Sequence, residues 1–124
     1  MEKKKILIID DEQSFTNMVQ LALGKTGRYE VRAENKGLNA LDTTRRFKPD
    51  LILLDIVMPD ISGGDIASQL NEDDAIKGIP VIFLTAIVTK DEAQKKDTIS
   101  GRPCLAKPVG VQELIKAIEE NIPK

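Results

Sequence analysis

The stretch "ILIIDDE", Ile6 to Glu12, decides how this chain is read. Ile6–Ile9 is a continuous apolar run of strand length, the composition of a strand covered on both faces. Three acids follow at once. Neighbouring carboxylates repel and lose hydration when crowded. Asp10, Asp11 and Glu12 are therefore a poor terminus for a buried strand unless something cationic sits among them.

Working outward, the same kind of run recurs at Leu51–Leu54 and Val81–Leu84, and more weakly at Tyr29–Ala33 and Pro103–Ala106. Between the runs, apolar residues recur at helical spacing. Phe15, Met18, Val19, Leu21, Ala22 and Leu23 form one stripe. Leu38, Leu41 and Phe47 form part of a second, and Ile66, Ala67 and Leu70 a third. Val111, Leu114, Ile115 and Ile118 form the last. The segment Lys90–Thr98 is the poorest, with only Ala93 and Ile99 as apolar anchors, and predicts a short or mobile helix. Strands alternating with helices imply βαβ units and a parallel sheet. The expected fold is α/β: a doubly wound, flavodoxin-like (βα)5 domain in three layers, its five parallel strands ordered 2-1-3-4-5. Gly27 and Gly37 mark turns or helix ends, and "KPD" and "KGIP" lead into the third and fourth strands.

Composition narrows the chemistry. The 124 residues fit one ordinary domain, with a core expected over 4–122. Apolar residues make up 41% and charged residues 31%, and the 18 basic and 20 acidic residues leave a net charge of -2. That balance carries no electrostatic footprint for nucleic acid. One cysteine, Cys104, and no histidine exclude a disulfide framework, a zinc site and histidine-based catalysis. Any metal would be a hard cation held by oxygen. No apolar run approaches the roughly 20 residues of a membrane helix. "MEKKK" is followed too soon by acids to open a signal peptide, so a cytoplasmic protein is expected.

The predicted strands end in polar residues: Asp10-Asp11 after the first, Asp55 in "LILLD", Thr85 in "VIFLT", and Lys107-Pro108 in "LAKP". In an open α/β sheet, ligands bind outside the carboxyl ends of the strands where the strand order reverses. With order 2-1-3-4-5 that crevice lies between the first and third strands, where Asp10, Asp11 and Asp55 would converge beside Thr85 and Lys107. Each residue also has an ordinary reading. Strand-end acids form turns or cap helices, Thr85 is a strand-end hydroxyl, and Lys107 a surface lysine.

Taken together and in this order, "DD", "LLDIVMP", "LTA" and "KP" resemble the receiver domain of two-component response regulators, over Lys4 to Ile122. The resemblance implies that Asp55 is the phosphoryl acceptor, a carboxylate acting as covalent nucleophile. It implies that Asp10 and Asp11 hold one Mg2+, with Asp55 and the backbone carbonyl of Val57 completing the ligands. Lys107 would meet a phosphoryl oxygen, aimed by a cis bond to Pro108, and Thr85 would move in to hydrogen-bond the phosphoryl group. Pro59 and Gly63 would shape the loop after Asp55. The implied partners are a histidine kinase or phosphotransfer protein as donor and a downstream protein effector. The output surface would be the face of the predicted fourth helix, fifth strand and fifth helix. On this reading the chain is a phosphorelay switch and not an enzyme in its own right. Glu12 reads as a solvated residue or a contact to metal-bound water, and Phe15, Phe47 and Phe83 read as core.

Three positions stand out against the family pattern. Cys104 stands where many receivers carry Tyr or Phe, and a small thiol cannot act as a rotating aromatic lever. It reads as an ordinary packed residue rather than a redox group. Val57 and Ile87 flank the acceptor and the switch threonine. Being apolar, they cannot position an attacking water, which implies slow self-hydrolysis. Three rivals remain open on sequence. A haloacid-dehalogenase-type phosphatase would want Asp-x-Asp and room for a cap. A flavodoxin-type cofactor module would want a phosphate-binding loop where "DDEQS" repels phosphate. A receiver-shaped interaction module would never be phosphorylated.

Overall fold

The computed structural model describes residues 3–86, 98–99 and 102–123. In chain order the elements are β1 (Lys4–Ile9), α1 (Gln13–Gly24), β2 (Tyr29–Glu34), a 3-10 turn (Gly37–Asn39), α2 (Ala40–Phe47), β3 (Leu51–Asp55), α3 (Gly63–Glu72), β4 (Val81–Thr85), β5 (Thr98–Ile99), β6 (Arg102–Ala106) and α4 (Val111–Asn121). The strands β2-β1-β3-β4-β6 lie side by side in parallel, which is the expected order 2-1-3-4-5.

The period-two alternation of these strands builds both sides of the core at once. Leu7, Ile9, Ile52, Leu54, Val81 and Phe83 point to one face, where they pack with Ala40 and Phe47 of α2 and Ile66, Ala67 and Leu70 of α3. Ile6, Ile8, Leu51, Leu53, Ile82 and Leu84 point to the other, against Val19 and Leu23 of α1 and Leu114 and Ile118 of α4. Ile6–Ile9 and Leu51–Leu54 are wholly buried. A continuous apolar run is what a strand with helices on both faces requires, and the polar residues appear only where each strand leaves that cover.

The structure corrects three sequence expectations. Thr98-Ile99, read as the tail of a helical segment, forms a short sixth strand, antiparallel on the free edge of β6. A β-branched pair suits an edge strand. The remainder of Lys90–Thr98, and Ile87, lie outside the described residues. In α1 the apolar stripe is wider than any one face. Val19 and Leu23 are buried, but Leu21 is 67% exposed and Met18 40%. At about 100° per residue, apolar residues at 18, 19, 21, 22 and 23 cannot all face inward. Leu38 is 70% exposed because it sits in the 3-10 turn, whose tighter winding takes it off the stripe of α2. Among the described residues, no helix is long and apolar enough to cross a membrane.

The connection from β3 to α3 sets the height of Asp55. Gly63 opens α3, donates its backbone N–H to the Ile56 carbonyl at 2.7 Å, and lies against the end of β3. A Cβ on Gly63 would stand 2.3 Å from the Asp55 carbonyl oxygen and 2.7 Å from Ile56 Cα. Both are backbone atoms that cannot step aside without moving Asp55. At Gly64 the nearest atom to a Cβ is 3.9 Å away. Gly63→Ala is therefore expected to lower stability by roughly 2–4 kcal/mol, a backbone clash at a packed position. Gly64→Ala is expected to be neutral or slightly stabilising. Urea unfolding of the two variants is the check, and equal midpoints would rule out the clash.

Candidate functional site

Asp10 leaves the end of β1 and is wholly buried, yet each of its polar groups has a partner. Its N–H donates to the Glu34 carbonyl at 3.1 Å, and its carbonyl accepts from Asn35 Nδ2 at 2.8 Å. Oδ1 accepts the Glu12 N–H at 2.9 Å, the turn that a strand-end Asp forms before a helix. Oδ2 pairs with Lys107 Nζ. Asn35 also donates to Thr16 Oγ1 at 3.0 Å, tying the end of β2 to the first turn of α1. Burying a carboxylate is costly unless it is fully hydrogen-bonded, and this set of partners meets that condition.

Asp55 ends β3, is 6% exposed, and accepts a long hydrogen bond from the Val57 N–H at 3.5 Å. Asp11, the next residue after Asp10, is exposed. One carboxylate oxygen from each of Asp10, Asp11 and Asp55 lies within 4.8 Å of the others. Lys107 enters from the end of β6, its N–H bonded to the Thr85 carbonyl at 2.8 Å and its Nζ 3.9 Å from Asp55 Oδ1. The bond to Pro108 is cis. Thr85 is buried at the end of β4, one residue beyond the level of Asp55, which pairs with Leu84. A cleft of about 370 Å³ opens here, lined by Asp10, Asp11, Glu12, Asp55, Val57, Ala86 and Lys107. Val57 is 53% exposed.

The structure thus brings Asp10, Asp11, Asp55, Val57 and Lys107 together around one cleft, whereas Thr85 is buried at the end of β4 and it is its neighbour Ala86 that lines the cleft. Glu12 contributes its backbone N–H and an exposed side chain. Sequence reasoning passed over Asn35. Its signal was the same as for the others, a polar residue directly after a strand, here β2, but nothing in "AEN" says that the amide turns toward β1. Cys104 sits partly buried in β6, in register with Phe83 and packed on the α2/α3 side of the core. Burial pushes its thiol above the usual range, as in a packing residue and unlike an activated thiolate.

Three acids and one ammonium leave an excess of negative charge. The Asp55 carboxyl is pushed up to about 6, first by burial and next by the charge of Asp10, with Asp11 adding to it, while Lys107 and the Val57 N–H pull it back. The donor set is all hard oxygen, anionic, and close enough for a small dication to gather. The unfolded chain releases the Asp55 proton near its ordinary 3.8, whereas the folded chain releases it near 6. The fold binds that proton more tightly, so stability declines as pH rises between these values and stays lower above them. Without divalent metal, Asp55→Asn is therefore expected to be more stable than the wild type at neutral pH, by roughly 1–2 kcal/mol after allowing for solvent at the cleft. The gap should close toward the pH of an ordinary carboxyl. Urea midpoints across pH are the check, and a gap independent of pH would count against the burial and crowding of the Asp55 charge as its cause.

The family model described as the response regulator receiver domain matches residues 6–119. The polar-differentiation response regulator DivK of Brucella anthropi is 32% identical over 119 residues, which cover 96% of each chain. The DivK of Brucella ovis is 31% identical over the same share. Among solved structures, the chemotaxis protein CheY4 of Vibrio cholerae superposes with a TM-score of 0.82 at 26% identity, covering 96% of this chain and 98% of that one. A response regulator from Desulfuromonas acetoxidans gives 0.80 at 28%, covering 94% of each. With a family match over most of its length and a matching five-stranded parallel sheet, the chain belongs to the receiver domains of two-component response regulators.

Proposed function

We propose that this chain is a phosphorylation-dependent switch whose acceptor is Asp55. One observation carries the reading: Asp10, Asp11 and Asp55 offer oxygens within 4.8 Å of one another, with Lys107 Nζ seated against Asp10 and 3.9 Å from Asp55. Receiver domains bind Mg2+ at an acidic pocket and exchange signals with histidine kinases and effectors. Asp10, Asp11, Asp55 and the Val57 carbonyl would hold that ion, whose role when bound is to neutralise the acids and the incoming phosphoryl oxygens.

The residues themselves do the rest. Asp55 must be a carboxylate to attack phosphorus, which its upward-shifted carboxyl permits at neutral pH. Its oxygen forms the bond to phosphorus as the bond to the donor's leaving group breaks, so that transfer depends on alignment and charge more than on proton chemistry. Lys107 meets one phosphoryl oxygen as a point charge and the Thr85 hydroxyl takes another. Because Lys107 and Thr85 are joined backbone to backbone, a shift of Thr85 moves the start of the loop into α4 as well. The output then lies on the face that carries β6 and α4. Cys104 provides no aromatic lever there, which leaves backbone displacement to carry the signal. The donor is a histidine kinase or phosphotransfer protein, the recipient a downstream effector protein or domain, and the setting cytoplasmic. The chain catalyses at most its own phosphoryl transfer and loss.

Intact mass after incubation with Mg2+ and acetyl phosphate is the test. One added phosphoryl group is expected, absent from Asp55→Ala and absent without Mg2+. Lys107→Ala is expected to slow uptake by about tenfold or more, the loss of one charge contact to the transferring group. No uptake by the wild type would instead favour an interaction module that works without phosphorylation. Once formed, the phosphoryl group is expected to persist for minutes rather than seconds, since Val57 and Ile87 offer no hydrogen bond to an attacking water. Val57→Asn should shorten that lifetime, and a lifetime of seconds in the wild type would contradict the explanation.

A further inference from the structure

Lys107 has a third neighbour that the acidic cluster does not account for. Its Nζ lies 4.5 Å from the centroid of the Phe15 ring, within the range of a cation–π contact. Phe15 belongs to the first turn of α1, directly after the acids, and its N–H bonds the Glu12 carbonyl at 3.1 Å. It is partly buried and packs against the α1/α4 side of the core. The ring is thus held from behind by the core while facing the ammonium in front. The side chain of Lys107 is only 13% exposed, so the contact is largely sheltered from water.

We propose that Phe15 is a positioning residue for Lys107, a seat that keeps the ammonium at the cleft when Asp10 is occupied by a cation. This rests on the role proposed above for Lys107. In the arrangement seen here the ammonium is held chiefly by Asp10. A dication drawn to Asp10 takes that partner away and repels the ammonium as a like charge. The four-carbon stem of lysine is flexible, and its head is strongly hydrated, so an ammonium released from Asp10 would move out to solvent. The ring face is negative but is no ligand for a hard metal ion, so metal does not compete for it. It retains the ammonium within reach of Asp55 without adding another carboxylate to a cluster already crowded. An aliphatic residue would pack as well and provide no such attraction.

The distinguishing experiment changes the electronics of the ring and not its size. Phe15 is replaced, in the whole chain, by phenylalanines carrying one, two and three ring fluorines, each weakening the negative face. Phosphorylation by acetyl phosphate at saturating Mg2+ is expected to fall stepwise along the series, by roughly threefold to tenfold in all, with Phe15→Trp retaining the wild-type rate. A second readout needs no phosphorylation. In urea without Mg2+, the unfolding midpoint should fall along the fluorine series in the wild-type background and stay level with Lys107→Met. A rate and midpoint indifferent to fluorination, or the same decline in both backgrounds, would overturn the proposal and leave Phe15 a packing residue. If the wild type takes up no phosphoryl group, the positioning role falls with that of Lys107, and the urea comparison still decides whether the ring holds the ammonium.

Discussion

Charge crowding at the carboxyl edge of the sheet is the constraint around which this structure is arranged. Asp10 and Asp55 are buried, Asp11 stands beside them, and among the described residues the lysine seated with them is Lys107. Burial first, and next the charge of Asp10, push the Asp55 carboxyl up to about 6. The surrounding backbone answers that stress. Asn35, the Glu34 carbonyl and the Glu12 N–H fix Asp10, the Val57 N–H reaches Asp55, and the Thr85 carbonyl holds the backbone of Lys107. The partners come from the ends of four different strands and the loops after them, so the site exists only when the whole sheet edge is assembled.

The sheet supplies rigidity for that edge by the simplest means available to a parallel fold. β1 and β3 are adjacent central strands with Ile9 opposite Leu54, so the acids that follow each leave the core at the same level. Odd-numbered residues of β1 pack under α2 and α3, and even-numbered ones under α1 and α4. A slip of one residue would exchange the two faces of every strand, which the close packing on both sides forbids. Gly63 adds the remaining restriction, letting α3 begin in contact with the backbone of Asp55.

Cys104 is a packing residue of β6. It lies in β6 opposite Phe83, its thiol raised by burial, filling a place in the core near the sheet edge. A small side chain there keeps the core closed without a part that can swing. The direct backbone link between Thr85 and Lys107 remains as a mechanical connection from the end of β4 to the loop that enters α4.

Much of this was legible in the sequence because a parallel sheet covered on both faces writes itself as uninterrupted apolar runs. "ILII", "LILL" and "VIFL" could be little else between helical stripes, and the polar residue ending each run marked the edge where a ligand would sit. Strand order and the identities of Asp10, Asp11, Asp55, Thr85 and Lys107 followed from that pattern together with the family resemblance. Local spacing does not encode what lies across a gap of many residues. Leu21 and Leu38 matched an apolar stripe but face solvent, since the winding of each helix decides which of several apolar residues turns inward. Thr98-Ile99 became a strand because the edge of β6 was there to pair with it. Asn35 and Phe15 looked like a loop amide and a core aromatic. Only the tertiary structure set one against the carbonyl of Asp10 and the other against the ammonium of Lys107, because those contacts join elements that touch solely once the sheet has closed between them.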